Sequence, residues 1–458
     1  MTTLGLDAAR SLRGAFHGDV LLPESPGYDE ARIIFNGAID KRPGLIAQCA
    51  GPDDVALAIG SAREMGLEIA VRCGGHGVAG KALTDDGVVV DLRRMKQVEV
   101  DPAARTARVG GGATISDLDN ATQRRGLATT GGRASTTGSG GFTLNGGSGW
   151  LERKFGLACD NLLGVELVTA DGRRVHASAD ENPELFWALH GGGGNFGVAT
   201  EFTFRLYELP VFSMALLLWP AEAGRDVLAA YRRFIETAPD EVGGGFLFMT
   251  GPPEEFIPDH LVGRRAIAAL VTYAGPEQEC RELAEPLLGF APDGALIAEV
   301  PYVDFQCMLD DPPGLRNYWS AEYLTGFPDE AVDAFCRRAA DMIVPSPSMQ
   351  AALPQGGALG RGNDVYPVPW RAAPWAVHPF ALWESPVDDE RAAAWARGVC
   401  DEVGPWALGS VYLNFIGDEG HDRVVDAFGA DNYRRLAAIK AEYDPENVFH
   451  LNHNIRPA

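Results

Sequence analysis

A chain of 458 residues is too long for one ordinary domain and long enough for two that share a ligand. Apolar residues make up 46% and charged residues 22%, which excludes a disordered-class composition. The net charge of −24 repels phosphate backbones, so no nucleic-acid partner is expected.

No stretch approaches the roughly eighteen uninterrupted apolar residues of a membrane span, and none is expected to enter a membrane. The opening MTTLGLDAARSLRGAFHGD carries acids and glycine where an export signal needs an apolar run, so a soluble, cytoplasmic protein is expected. Cys49, Cys73, Cys159, Cys280, Cys307, Cys336 and Cys400 form no C-x-x-C pair. That argues against a metal site and for reduced thiols.

In chain order, residues 45–49 and 69–72 read as strands. Between them, 53–65 is an amphipathic helix with Val55, Ala58, Ile59 and Ala62 on its apolar face. Short strands follow at 88–92, 97–100 and 106–109. Ser116 is placed to N-cap a helix that stops at Gly126. The apolar run 163–169, the turn Ala170-Asp171-Gly172 and the answering 174–177 predict a hairpin. Asp180 starts a helix through Leu189, and 198–206 alternates as a strand.

Near Leu209-Pro210 the texture changes, and helices alternate with strands to about Val411. Domains are therefore expected over 1–208 and 209–425, with a segment 426–458 returning to the first. That segment predicts a helix over 432–443 and then the tail DPENVFHLNHNIRP. A tail so dense in Asn and His is expected to pack on a ligand rather than fray.

Glycine is concentrated in Arg72-Cys73-Gly74-Gly75-His76-Gly77, Gly110-Gly111-Gly112, the run from Gly131 to Gly149, and Gly191 to Gly197. Such density costs folding entropy and is justified where bare backbone must approach a ligand or turn N–H groups on an anion. Gly192, Gly194 and Gly197 satisfy G-x-G-x-x-G, but a helix precedes them and a strand follows. A dinucleotide fingerprint needs the reverse order, so a Rossmann site is rejected. No phosphate-binding G-x-x-x-x-G-K-[ST] is present. His76, flanked by Gly74, Gly75 and Gly77, holds an imidazole beside bare backbone, where a planar cofactor can lie against it.

The segments RCGGHGVAG, VGGGATISDL, GGFTLNGGSGWLERKFGLACDNLLGVELVTADG, NPELFWALHGGGGNFGV, RNYWSAEYL, YLNFIGDEG and YDPENVFHLNHNI resemble, in order, the flavin-linked oxidases of the berberine bridge enzyme type. These lie within the vanillyl-alcohol oxidase-like, PCMH-type FAD-binding superfamily. The resemblance implies an α+β chain with a two-subdomain PCMH-type FAD-binding domain and a substrate domain whose antiparallel sheet is backed by helices. It implies FAD bonded through His76 to the flavin 8α-methyl. Many members add a second bond from a Cys four residues before the glycine that matches Gly138. Ala134 stands there, and Cys159 is too far along the chain, so one bond is expected.

By the same resemblance Arg72, Cys73, Gly74, Gly75 and Gly77 wrap the pyrophosphate. Gly131, Gly132, Gly138, Gly141 and Gly146 lie along the flavin and ribityl chain, Val198 touches the adenine end, and Asn452 and Asn454 reach the isoalloxazine edge. The implied reaction moves hydride from a small alcohol, amine or secondary metabolite to flavin N5, with a base taking the proton and molecular oxygen as acceptor.

Many relatives use as base the Tyr of an N-Y pair, which here is Asn414-Phe415. Phe accepts no proton. His378 in WAVHPFALW is the expected substitute. Tyr412 lies on the YLNF strand, where alternation turns it away from Phe415. Tyr318 is expected to line the substrate pocket, and Arg316 is a candidate for an anionic substrate group. Trp150 follows the GGSG turn, where relatives control oxygen access. An oxygen-avoiding dehydrogenase, a natural-product cyclase and a non-turnover flavin-binding protein remain alternatives, and a homodimer stays open.

Overall fold

The computed structural model describes residues 12, 14–308, 310–312, 314–361 and 365–458. Its first sheet has the order Asp19–Leu21, Leu45–Gln48, Val88–Asp91, Ile69–Arg72, with the last three strands parallel. Val88, Val89 and Val90 are all buried, as a parallel strand covered on both faces requires. The crossover helix Pro52–Glu64 opens on a proline with Asp53 and Asp54 in its first turn, where a fixed φ and negative charge suit the dipole. The buried Asp54 carboxylate accepts from the His17, Gly18 and Ala50 amides and ties the preceding chain to this helix.

The second sheet is antiparallel, in the order Val98–Asp101, Thr106–Gly110, Val198–Arg205, Leu162–Val168, Arg174–Ser178, and it contains the expected hairpin. Two helix starts differ from expectation. The helix Ile115–Gln123 is capped by Thr114, not Ser116, because Asp117 completes a reciprocal capping box with Thr114. The helix Pro183–Ala188 starts after Asn182, whose left-handed backbone delays it past Asp180.

The third sheet is antiparallel, in the order Gly294–Glu299, Ser213–Pro220, Arg265–Tyr273, Val242–Thr250, Met349–Pro354, Trp375–Trp383, Arg316–Trp319, with Glu322–Leu324 also on Trp375–Trp383. Alternation assigns its faces. Phe246, Phe248, Trp375, Val377 and Ala381 join one core with residues of the helices Gly224–Thr237, Asp329–Arg338 and Asp389–Val403. Each large apolar side chain buried there contributes about 1.5–3 kcal/mol. Leu247, Ala351, Leu353 and Phe380 face the other way, over the cavity described below. The fold is thus mixed α+β. Among the described residues no helix is long and apolar enough to cross a membrane.

The last helix, Ala430–Tyr443, feeds a tail that turns back. Buried Lys440 causes the return: its Nζ donates to the Asn195 carbonyl at 2.8 Å and the Phe449 carbonyl at 2.9 Å, and pairs with Asp444 at 2.7 Å. Phe449 then packs with the core of the first sheet, and Leu451, Asn452 and His453 reach the cavity wall.

Candidate functional site

One long cavity runs between the glycine segments, the open face of the third sheet and the returning tail. Cys73, Gly74, Gly75, His76 and Gly77 line it, with Gly132, Gly138, Gly141, Val198 and Asn452. A Cβ on Gly74 would lie 2.5 Å from the Gly138 amide nitrogen, and one on Gly138 would lie 2.3 Å from that of Gly74. The two loops touch backbone to backbone, which only glycine allows. At Gly77, Gly141 and Gly194, by contrast, a Cβ would meet nothing within 4 Å. Their missing side chains leave open a trough wide enough for a flat cofactor.

His76 stands on this wall with its ring stacked on Phe35, the centroids 3.8 Å apart. Its Nε2 is buried and has no hydrogen-bond partner, and burial pulls the imidazole down to about 4. A neutral ring held flat and left uncommitted is suited to forming a bond.

Four expected ligand residues are placed elsewhere. Arg72 lies off the cavity: its buried guanidinium donates to the Ala31 and Ile33 carbonyls and fastens that segment, so its side chain serves the fold. Gly131 packs under Ile115 and Gln306, and Gly146 turns against Trp370 at a φ of +120°. Asn454 is off the wall, and its neighbour His453, pulled down by burial to about 4, is on it. Arg316 is held by Asp389 and is no free anion site.

At one end the wall is aromatic, formed by Trp150, Trp319, Phe380, Tyr412 and Phe415. Tyr318 is not part of it. One residue along the strand reverses the face, so Tyr318 packs among the backing helices beneath Arg397, and Trp319 faces the cavity. The strand expected through Tyr412 and Phe415 is also absent. Leu413–Phe415 forms a short 3₁₀ turn closed by the Phe415 amide on the Tyr412 carbonyl, which puts both rings on the same wall, 4.9 Å apart.

His378 is fully buried behind that wall. Its Nδ1–H donates to the Ser320 carbonyl at 2.8 Å, which leaves Nε2 as an unpartnered acceptor. The ring stacks on Phe415 with centroids 4.0 Å apart, and burial pulls it down to about 3. A folded value below the ordinary 6.5 stabilises the protein fully above about pH 6.5 and progressively less as pH falls toward 3. His378→Phe is therefore expected to flatten the acid side of a urea-unfolding stability profile by about one proton, or about 1.4 kcal/mol per pH unit. An unchanged slope would show that His378 is charged in the fold.

Sequence reasoning passed over two wall residues. Arg133 sits within a glycine run and pairs with buried Glu152 at 2.7 Å. Asp311 follows Asp310, whose carboxylate accepts from the Ser135 amide at 2.7 Å; burial and the Asp310 charge push Asp311 up to about 7. Neither sits at a spacing that a motif would reveal. Among the described residues no cluster of His, Cys, Asp and Glu could hold a metal.

Residues 43–178 match the family described as FAD binding domain, and residues 411–456 match the one described as berberine and berberine like. The chain is 32% identical to (R)-6-hydroxynicotine oxidase of Paenarthrobacter nicotinovorans over 97% of both chains. A crystal structure of 6-hydroxy-D-nicotine oxidase from Arthrobacter nicotinovorans superposes with a TM-score of 0.85 at 30% identity, covering 97% of this chain and 99% of that one. A glucooligosaccharide oxidase from Acremonium strictum, which carries 6-S-cysteinyl, 8α-N1-histidyl FAD, has the same fold: TM-score 0.84, 22% identity, 99% of both chains. With the glycine trough and the wall histidine in place, full-length identity at this level assigns the chain to the berberine bridge enzyme-like family of PCMH-type FAD-linked oxidoreductases.

Proposed function

We propose that the protein is an oxidase that holds FAD through a single bond from His76 and oxidises a small alcohol, amine or secondary metabolite, with molecular oxygen as acceptor. The observation that carries this reading is the stacked, unpartnered His76 ring at the edge of the glycine trough. Ala134 on the same wall has no sulfur with which to form a second bond. When bound, the flavin supplies a hydride acceptor. In this reading 1–208 holds the cofactor, 209–425 covers the substrate, and 426–458 closes the site from behind, in a cytoplasmic protein.

The test is direct. Acid-precipitated protein is expected to stay yellow, and its intact mass to exceed the chain mass by one FAD. A colourless pellet would end the covalent reading. Anaerobic bleaching by an alcohol or amine panel tests turnover, and rapid reoxidation in air distinguishes an oxidase from a dehydrogenase. The bulk of Trp150 on the wall supports the dehydrogenase as the second reading.

The proton that leaves with the hydride needs an acceptor. Burial pushes the Tyr412 hydroxyl up, out of range for a base at neutral pH, and brings Asp311 into range at about 7. Asp311→Asn is expected to slow anaerobic flavin reduction by about 10²-fold and to remove an inflection near pH 7. A stopped-flow rate within a few-fold of the parent would take Asp311 out of the step.

A further inference from the structure

We propose that Arg133 selects the substrate, and that the class selected is a planar aromatic molecule bearing a neutral oxygen acceptor, such as an aryl ketone or a phenol. The proposal rests on the flavin-oxidase reading above and adds the chemistry of its substrate.

Arg133 is the cation of the aromatic end. Its guanidinium lies 5.2 Å from the Trp150 ring centroid and 6.0 Å from that of Phe415, and both rings line the cavity with it. A guanidinium has five N–H donors. Arg133 commits two groups: Nη1 donates to Ser148 Oγ at 2.9 Å and Nη2 to Glu152 Oε1 at 2.7 Å. Its Nε is buried and has no partner. Nε is closed off from the cavity, so the donor capacity left beside it is the second N–H of Nη1 and of Nη2, on a side chain that is 15% exposed.

Glu152 decides the charge of the ligand. It is 2% exposed, pairs with Arg133 and accepts from the Gly149 amide at 3.0 Å. The pair has no net charge, so a bound carboxylate would be an uncompensated buried anion. An ammonium group would face a guanidinium and repel it. A neutral carbonyl or phenolic oxygen takes the spare N–H without either cost. Trp150, Trp319, Phe380 and Phe415 supply the flat apolar walls that favour a ring over a saturated skeleton.

The test uses three probes against the holoprotein: acetophenone, ethylbenzene, which lacks the oxygen, and cyclohexyl methyl ketone, which lacks the flat ring. Binding is read by perturbation of the flavin band and independently by tryptophan quenching. Acetophenone is expected to bind about 10-fold or more tightly than either control, the range for a hydrogen bond to a charged group. The double variant Arg133→Met with Glu152→Gln leaves no stranded charge and is expected to lose that preference, so that it binds acetophenone no more tightly than ethylbenzene. Arg133→Lys, which keeps the pair with Glu152, is expected to recover part of it.

Equal affinity for acetophenone and ethylbenzene would overturn the proposal, as would unchanged acetophenone binding in the double variant. So would a shifted flavin band in ligand-free variants with probe binding intact, which would assign the spare donors to the cofactor. A failed flavin reading shows itself separately as colourless protein, and tryptophan quenching still reports on the probes.

Discussion

Replacing His76 by alanine is expected to abolish acid-stable flavin completely. The native variant should still take up FAD, because Gly77, Gly141 and Gly194 keep the trough open and the returning tail is untouched. On acid precipitation its pellet should be colourless, and its intact mass should equal the chain alone. The fold should survive, since the His76 side chain gives up its stacking on Phe35 and a tilted contact with Trp319, and its Nε2 leaves no hydrogen-bond partner stranded. Aromatic pairs of this kind contribute about 0.5–1.5 kcal/mol. Acid-stable colour persisting in the variant would move the attachment to another nucleophile on the wall. Cys73 is the candidate there, although burial pushes its thiol up and makes it a poor one.

How His76 could be read from sequence, while Trp319 could not, comes down to what each position needs. His76 needs bare backbone on both sides, and glycine writes that requirement into the sequence itself. The same logic made Gly74, Gly138 and Gly141 visible, and it failed for Gly131 and Gly146, which serve packing and a turn. Facing is a weaker signal. Tyr318 and Trp319 are both aromatic, and a one-residue choice of register decides which meets the cavity. Tyr412 was turned the wrong way because a 3₁₀ turn brings residues three apart onto one side, where a strand would separate them. Arg133 and Asp311 acquire their roles only from partners distant in sequence or in shape, Glu152 across the loop for one and a buried wall for the other. The strand order of the three large sheets likewise depends on long-range pairing that local patterns do not carry.

The tail poses the sharper question, because the sequence predicted its return without the device that enforces it. Lys440 and Asp444 are both fully buried, one helical turn apart. Asp444 also accepts from the Val448 amide at 2.8 Å and the Phe449 amide at 2.8 Å, so one carboxylate shapes the turn and one ammonium bolts it to Asn195. Lys440→Met keeps the volume but leaves that carboxylate buried without its cation, a loss of about 3–5 kcal/mol. A urea midpoint lowered to match is the expected result. Because Asn452 and His453 reach the wall only through this turn, the variant should also incorporate several-fold less FAD per chain. Adding Asp444→Asn removes the stranded charge and should restore part of the stability. Wild-type stability with full flavin content in Lys440→Met would mean that the core around Phe449 alone holds the tail.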